Sequence, residues 1–179
     1  MISKTLLPLS VLALLTACGS ETPKKPTEPA GPDAGAKFAL SADPGDAVTV
    51  VAAKERGGGD ATLVGQGRIE ALTKGFAILK LMDTALKYCG EVHAEGCKTP
   101  WDFCCDTPED QRAHRLLVEF HGADGKPVET KGLPNTRLLD LVKIRGKLIE
   151  NAQGSLVLVA DGYWQLERPT LPDGLNWPE

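Results

Sequence analysis

LVKIRGKLIENAQGSLVLVA, residues 141–160, is the stretch of sequence that decides the fold. In its first half, apolar or small residues alternate with Lys143, Arg145 and Lys147, which is the period of a half-buried strand. The turn-forming residues 151–154, NAQG, follow, and the chain then returns as an apolar run. These residues predict a β-hairpin with one buried face, made in the first strand by Val142, Ile144, Gly146 and Leu148.

Upstream of the hairpin, residues 63–72, 76–82 and 115–120 have the same strand character. Gly65 and Gly67 lie inside the first of these strands, where glycine usually marks a bend or bulge. A turn at residues 123–125, ADG, leads to a short polar edge at 128–131, and Trp164 and Leu166 close the domain. The expected fold is an all-β, five-stranded barrel whose core contains Ile69, Ile78, Val118, Ile144, Leu148 and Leu158.

Residues 46–56, DAVTVVAAKER, carry two conflicting signals. The Val-Thr-Val-Val run favours a strand, whereas Ala-Ala-Lys-Glu-Arg favours a helix, and the periodicity does not decide between them. Three glycines at 57–59 end the segment. No Gly-Lys-Ser/Thr follows them, so we interpret them as a flexible turn rather than a phosphate-binding loop.

Five principal strands, the first bent at glycines and the last two forming a tight hairpin, resemble an OB-fold over residues 60–167. Residues 141–160 are similar to the fourth and fifth strands of bacterial periplasmic OB-fold proteins. The long connection here falls between strands two and three, rather than between three and four. The strand faces also lack the aromatic pairs with which nucleic-acid-binding OB-folds stack bases.

That long connection, residues 84–114, contains Cys89, Cys97, Cys104 and Cys105. About thirty residues is far beyond the usual connection of four to six, so without its own apolar core the segment is expected to need covalent staples. Two disulfides are the primary interpretation, because the count is even and the predicted compartment is oxidising. Adjacent Cα atoms are about 3.8 Å apart, which argues against a bond between Cys104 and Cys105. The partner of each stays open.

Two alternatives remain for this segment. Cys89, His93, Cys97, Cys104 and Cys105 offer thiolate and imidazole ligands for zinc or copper, although their spacing differs from that of common zinc sites. A thiol redox enzyme is the third interpretation, without a Cys-x-x-Cys pair to support it. Trp101 is expected to cap the barrel, and if exposed it would be the candidate contact for a partner. The run CKTPWDFCC, residues 97–105, is similar to one in uncharacterised bacterial envelope lipoproteins.

The N-terminus is interpreted as an export signal. Residues 1–17 contain Lys4 and a short apolar run, too short to span a bilayer. The run ends in Leu-Thr-Ala-Cys, which resembles the lipobox of bacterial lipoproteins, and this implies cleavage before Cys18, a diacylglyceryl thioether on its sulfur and acylation of its amine. By the enteric sorting rule, Gly19 favours the outer membrane, facing the periplasm. Residues 18–45, rich in proline, are expected to form a disordered tether.

The composition excludes some classes of function. The formal net charge of −4 and an aromatic content of 5% disfavour nucleic-acid binding, which needs basic surfaces and stacking platforms. We expect a signal peptide at 1–17, the domain at 46–168 and a loose tail at 169–179. The predicted function is a non-catalytic, lipid-anchored envelope module without a cofactor, which binds a protein, glycan or small ligand of the cell envelope.

Overall fold

A computed structural model describes residues 34–92 and 97–170. The described chain is mostly sheet with a few short helices, which confirms the all-β class. Its elements are, in chain order, a single 3₁₀ turn Ala36–Phe38, β1 Val48–Thr49, α1 Val50–Arg56, β2 Thr62–Leu72, β3 Ile78–Met82, α2 Cys89–Val92, α3 Pro108–Ala113, β4 Arg115–Phe120, β5 Leu141–Glu150 and β6 Leu156–Glu167. The predicted signal peptide, Cys18, the first part of the tether and residues 171–179 lie outside the described residues.

The six strands form one mixed sheet that closes on itself. Five of them pair in the order β2-β3-β4-β6-β5, and β5 pairs back to β2, which completes a ring. All of these pairs are antiparallel except β4 with β6, which run parallel. The short strand β1 lies outside the ring and pairs in parallel with Gly65 and Gln66 of β2. Because β5 pairs back to β2, the ring removes the open edge that β5 would otherwise present.

The interior of the ring is the main hydrophobic core. Five of the six predicted core residues are buried there and are confirmed: Ile69, Val118, Ile144, Leu148 and Leu158. The sixth prediction, Ile78, is wrong, because Leu79 and Leu81 of β3 point inward instead. Leu79 lies opposite Val118 of β4, and directly opposed residues in paired strands share a face. The apolar run FAILKLM, residues 76–82, has too few polar residues to show which of its side chains point inward.

Two glycines allow the ring to bend. A Cβ on Gly67 would lie 2.7 Å from the carbonyl oxygen of Met82, so only glycine permits β2 and β3 to approach this closely. A Cβ on Gly146 would meet the backbone of Val159 at the bulge between β5 and β6. The predicted bend in the first long strand is accompanied by a register shift between Ile69 and Ala71.

Residues 48–56 satisfy both of their conflicting sequence signals. Val48 and Thr49 pair as β1, and the helix α1 begins immediately afterwards. The Thr49 hydroxyl accepts a hydrogen bond from the backbone N–H of Ala52 at 3.2 Å, which is an N-cap. The helix buries Val50 and Ala53. It ends at Gly57, whose φ of 73° is readily adopted only by glycine.

Packing begins upstream of the predicted domain boundary at residue 46. Phe38 is buried with its ring centroid 4.9 Å from that of Phe120. The backbone N–H of Leu40 donates to the carbonyl of Tyr163 at 2.9 Å, and the Leu40 side chain covers Gly162. Residues 36–40, which composition places in the tether, therefore pack against β6.

Candidate functional site

The cysteine-rich insertion joins β3 to β4 at the predicted position, and the helix α1 holds both of its ends. At the start, the buried carboxylate of Asp83 accepts a hydrogen bond from the N–H of Val51 at 2.8 Å. At the end, the Lys54 ammonium donates to the carbonyls of Arg112 and Ala113 at 2.9 and 2.8 Å. Burial lowers the pKa of Lys54 below its ordinary value. The helix thus fixes the insertion to the ring.

The insertion has a small apolar core of its own. Met82, Phe103 and Leu139 are fully buried together, and three partly buried side chains pack against them: Leu86, Tyr88 and Trp101. Met82 and Leu139 come from outside the insertion, so this core is shared with the rest of the domain, and the local sequence of the insertion does not reveal it. Trp101 lies half-buried on this second core.

Backbone hydrogen bonds bring three of the four cysteines together. The N–H groups of Cys89 and Gly90, at the start of α2, donate to the carbonyls of Asp102 and Pro100, each at 2.7 Å. From α3, the Gln111 amide donates to the carbonyls on either side of the cysteine pair, Phe103 at 3.0 Å and Asp106 at 3.1 Å. Hydrogen bonds next to Cys89 and on both sides of the Cys104–Cys105 pair therefore hold the two segments in position.

The resulting thiol cluster consists of Cys89, Cys104 and Cys105. The Cys89 Sγ lies 3.1 Å from that of Cys104 and 3.5 Å from that of Cys105. All three sulfurs lie within 4.8 Å of one another. Cys89 is buried at 1% exposure, whereas Cys104 and Cys105 belong to exposed residues. The cluster therefore has one sulfur in the protein and two at its surface.

Cys97 is not part of the thiol cluster. Its Sγ lies 3.9 Å from the Thr99 hydroxyl, and its residue is half-buried. The four cysteines of the described chain are all thiols in this structure, so the two predicted disulfides stay a prediction. His93, the predicted imidazole ligand, lies outside the described residues. Of the four proposed metal ligands that the structure describes, the fold brings three together.

The environment of Cys89 determines what chemistry it can perform. Burial raises the pKa of the Cys89 thiol above its ordinary value, and the neighbouring thiols of Cys104 and Cys105 raise it further. A thiol in such surroundings is protonated at neutral pH and is a poor nucleophile. The cluster is suited to forming a disulfide or to binding a metal ion that displaces the thiol protons. The raised pKa of Cys89 is the opposite of what the attacking thiol of a redox enzyme requires.

A second candidate site is an open groove at the β2–β3 turn. Its volume is about 510 Å³, and its walls come from that turn, from β3 and from the connection before β5. Five apolar side chains and three cations are among the residues that line it: Leu72, Phe76, Ile78, Leu133, Leu138, Lys74, Lys131 and Arg137. This groove is not among the sites predicted from the sequence. The available signal was the apolar Phe76 directly after a turn that contains a lysine.

No protein-family model matches the chain, and no curated protein shows significant similarity to it. Across residues 34–92 and 97–170, no helix is long and apolar enough to cross a membrane.

Proposed function

We propose that this chain is a non-catalytic, lipid-anchored binding module of the bacterial cell envelope, whose domain is an OB-like barrel. The groove at the β2–β3 turn binds the ligand, which is a segment of another envelope protein with apolar and acidic side chains. The observation that carries this proposal is the composition of the groove. In a protein of net charge −4, the described residues that line it place Lys74 and Lys131 beside an apolar surface without a carboxylate, and the third cation, Arg137, pairs with Asp140.

The OB-like assignment is supported by the order of the strands. If the five strands of the ring are numbered along the chain, they pair in the order 1-2-3-5-4 and back to 1. This order and the parallel pairing of the third with the fifth strand are those of an OB-fold. OB-folds bind ligands on the face of their second and third strands and on the neighbouring loops. The groove adjoins the loop that leads into the second strand.

The shape of the groove favours a protein segment over a small ligand or a glycan. Leu72 and Phe76 are 39% and 40% exposed, so the groove lies open along the surface. Pockets for small molecules usually bury most of their ligand. Glycans are commonly stacked on aromatic faces, and among the described residues that line this groove Phe76 alone is aromatic. An extended segment lying across it would bury Leu72 and Phe76 while its carboxylates approached Lys74 and Lys131.

The anchor is tested separately from the groove. Cys18→Ser removes the sulfur that the lipobox resemblance assigns to the diacylglyceryl group. We expect the variant to leave the membrane fraction or to remain as an uncleaved precursor, because two or three acyl chains are what make anchoring stable. A variant that matures and partitions with membranes like the wild type would contradict the lipoprotein assignment.

The groove is tested by photo-crosslinking in living cells. We place a benzophenone amino acid at Phe76, and at Leu166 as a matched exposed apolar position that does not line the groove. The expected result is a discrete protein adduct at position 76 alone. Lys74→Glu with Lys131→Glu should abolish the adduct, whereas Lys126→Glu, a charge reversal outside the groove, should not. Equal adducts at both positions, or an adduct indifferent to charge reversal in the groove, would contradict the proposal.

A further inference from the structure

The thiol cluster has an odd number of sulfurs, which limits what disulfides can do there. Cys104 and Cys105 are adjacent, so Cys89 can bond only one of them, and the other is left over. A second disulfide would need Cys97, whose sulfur lies near Thr99 and outside the cluster. Two disulfides therefore require Cys97 to move. A metal ion would use the three clustered sulfurs after a small outward shift and would not need Cys97.

We propose that Cys89, Cys104 and Cys105 form a three-thiolate site for a soft metal ion, specifically Cu(I). Soft thiolate ligands select Cu(I), zinc and iron–sulfur clusters among the transition metals, so the choice of Cu(I) depends on the number of ligands. The site is separate from the groove and independent of the function proposed for it.

The spacing of the sulfurs suits metal coordination with a small adjustment. Three metal–thiolate bonds of about 2.3 Å in a plane place neighbouring ligand sulfurs about 4.0 Å apart. The two observed distances from the Cys89 Sγ, 3.1 and 3.5 Å, are each shorter than this value by less than 1 Å. A disulfide between Cys89 and Cys104 would need those sulfurs to approach from 3.1 to about 2.05 Å, and it would leave the Cys105 thiol outside the bond. Small side-chain rotations of the exposed Cys104 and Cys105 are enough to open the cluster around an ion.

Among the described residues, the number of clustered ligands matches Cu(I) better than zinc. Structural zinc sites almost always have four protein ligands. Within the described residues, the group of cysteine, histidine and carboxylate ligand atoms that lie together contains these three sulfurs and no fourth member. Cu(I) is satisfied by three thiolates in a plane. The buried Cys89 would then form the floor of the site, and the exposed pair would provide the path by which the ion enters.

The surrounding structure holds the ligands in place without help from the metal. The hydrogen bonds from Cys89 and Gly90 to Asp102 and Pro100 fix one segment against the other. A Cβ on Gly90 would lie 2.9 Å from the Pro100 oxygen, so glycine is needed for this close approach. The Gln111 amide fixes the carbonyls that flank the cysteine pair. Such outer contacts determine the orientation of ligands and the affinity of metal sites.

The test is a Cu(I) titration of the full chain, isolated from the envelope in detergent, reduced and kept anaerobic. Bathocuproine disulfonate competes for Cu(I), and thiolate-to-copper absorption in the near ultraviolet reports the bound form. We expect one Cu(I) per chain. Cys89→Ser, Cys104→Ser and Cys105→Ser should each weaken binding roughly 100-fold or more, because each removes a coordinating thiolate. Cys97→Ser is the matched control and should change the affinity by no more than about threefold.

Each other outcome would overturn the proposal. Loss of binding in Cys97→Ser equal to that in the cluster variants would show that the site is not the one described. Zn(II) binding tighter than three ligands can give, with four protons released, would mean that a fourth thiol coordinates the ion, and it would assign the site to zinc. Peptide mapping of the unreduced protein that finds Cys97 bonded to Cys104 or Cys105, with no free thiol, would establish the disulfides instead. Circular dichroism of each variant verifies that the strands are intact.

Discussion

The ring of strands and the cysteine-rich insertion are built on different principles. The ring is held by strand pairs, of which β2–β5, β3–β4 and β4–β6 join distant parts of the chain, and by one core to which the described residues contribute sixteen buried side chains. The insertion between β3 and β4 has a core of three buried residues and depends on side chains that hold its ends, Asp83 and Lys54 among them. Stability is therefore concentrated in the ring, and the reactive groups are concentrated in the insertion.

This difference predicts two levels of stability in one domain. Regions with few buried apolar contacts open at lower free energy than the cores to which they are attached. The thiol cluster lies in such a region, so it can adapt to a bound ion or a new bond without unfolding the ring. The following substitutions test that separation, and they are ordered from the largest expected effect to the smallest.

Leu158→Ala should destabilise the whole domain. Leu158 is fully buried in the ring core, and truncation of a buried leucine costs about 2–5 kcal/mol in the free energy of unfolding. Chemical denaturation followed by circular dichroism measures the loss. Leu166→Ala on the same strand is the control, since Leu166 is 39% exposed and its truncation should cost no more than about 0.5 kcal/mol. Similar losses in both variants would mean that the ring core does not control stability.

Phe103→Ala should loosen the insertion more than the ring. Phe103 is fully buried, but in the small second core, so we expect the global free energy of unfolding to fall by about 3 kcal/mol, the low end for a buried phenylalanine. The reaction of Cys89 with a thiol reagent in reduced protein should accelerate by at least about tenfold, because local opening exposes it. An unchanged Cys89 rate with full loss of ring stability would show that the two regions unfold together.

The two regions also differ in how much of them the sequence predicts. Alternation of polar and apolar residues in β4 and β5 identifies both strands and their buried faces, because each strand has one face in the ring core. In β3 the apolar run continues without alternation, and the face assigned to Ile78 is wrong. The thiol cluster depends on hydrogen bonds from Gln111 and on residues such as Leu139 that are distant in sequence. Such contacts leave no periodic signal. The sequence therefore identifies the cysteines as candidate site residues but does not predict which three of them lie together.

Lys54→Met tests the link between the two regions. The Lys54 ammonium donates to three carbonyls at the end of the insertion, and methionine retains much of the apolar stem without the donors. We expect a loss of about 1.5 kcal/mol, since the group is partly exposed. Hydrogen exchange should increase in α3 and at the start of β4 and remain unchanged in β5. Lys147→Met, at an exposed position on β5, is the control and should alter neither.

Tyr163→Phe should have the smallest effect at neutral pH and a distinct effect in alkali. Tyr163 is buried in the ring core, and its hydroxyl donates to the carbonyl of Pro134 at 2.6 Å. Removal of this hydrogen bond should cost about 1 kcal/mol. Because Tyr163 lies in the ring, the reactivity of Cys89 at pH 8 should not change, in contrast to Phe103→Ala.

The alkaline effect follows from the position of the Tyr163 hydroxyl. Burial raises the pKa of Tyr163 to about 12, from an ordinary value of 10.0. Above about pH 10 the phenol of the unfolded chain loses its proton while the folded one retains it, so the unfolded state binds fewer protons. The contribution of the protonated Tyr163 phenol to the free energy of unfolding is therefore complete below about pH 10 and is lost as the pH rises through 12. Denaturation curves between these values should therefore fall more steeply for the wild type than for Tyr163→Phe. Parallel curves would mean that this phenol is not shielded from water, and that the ring core is more open at β6 than its packing against Phe120 indicates.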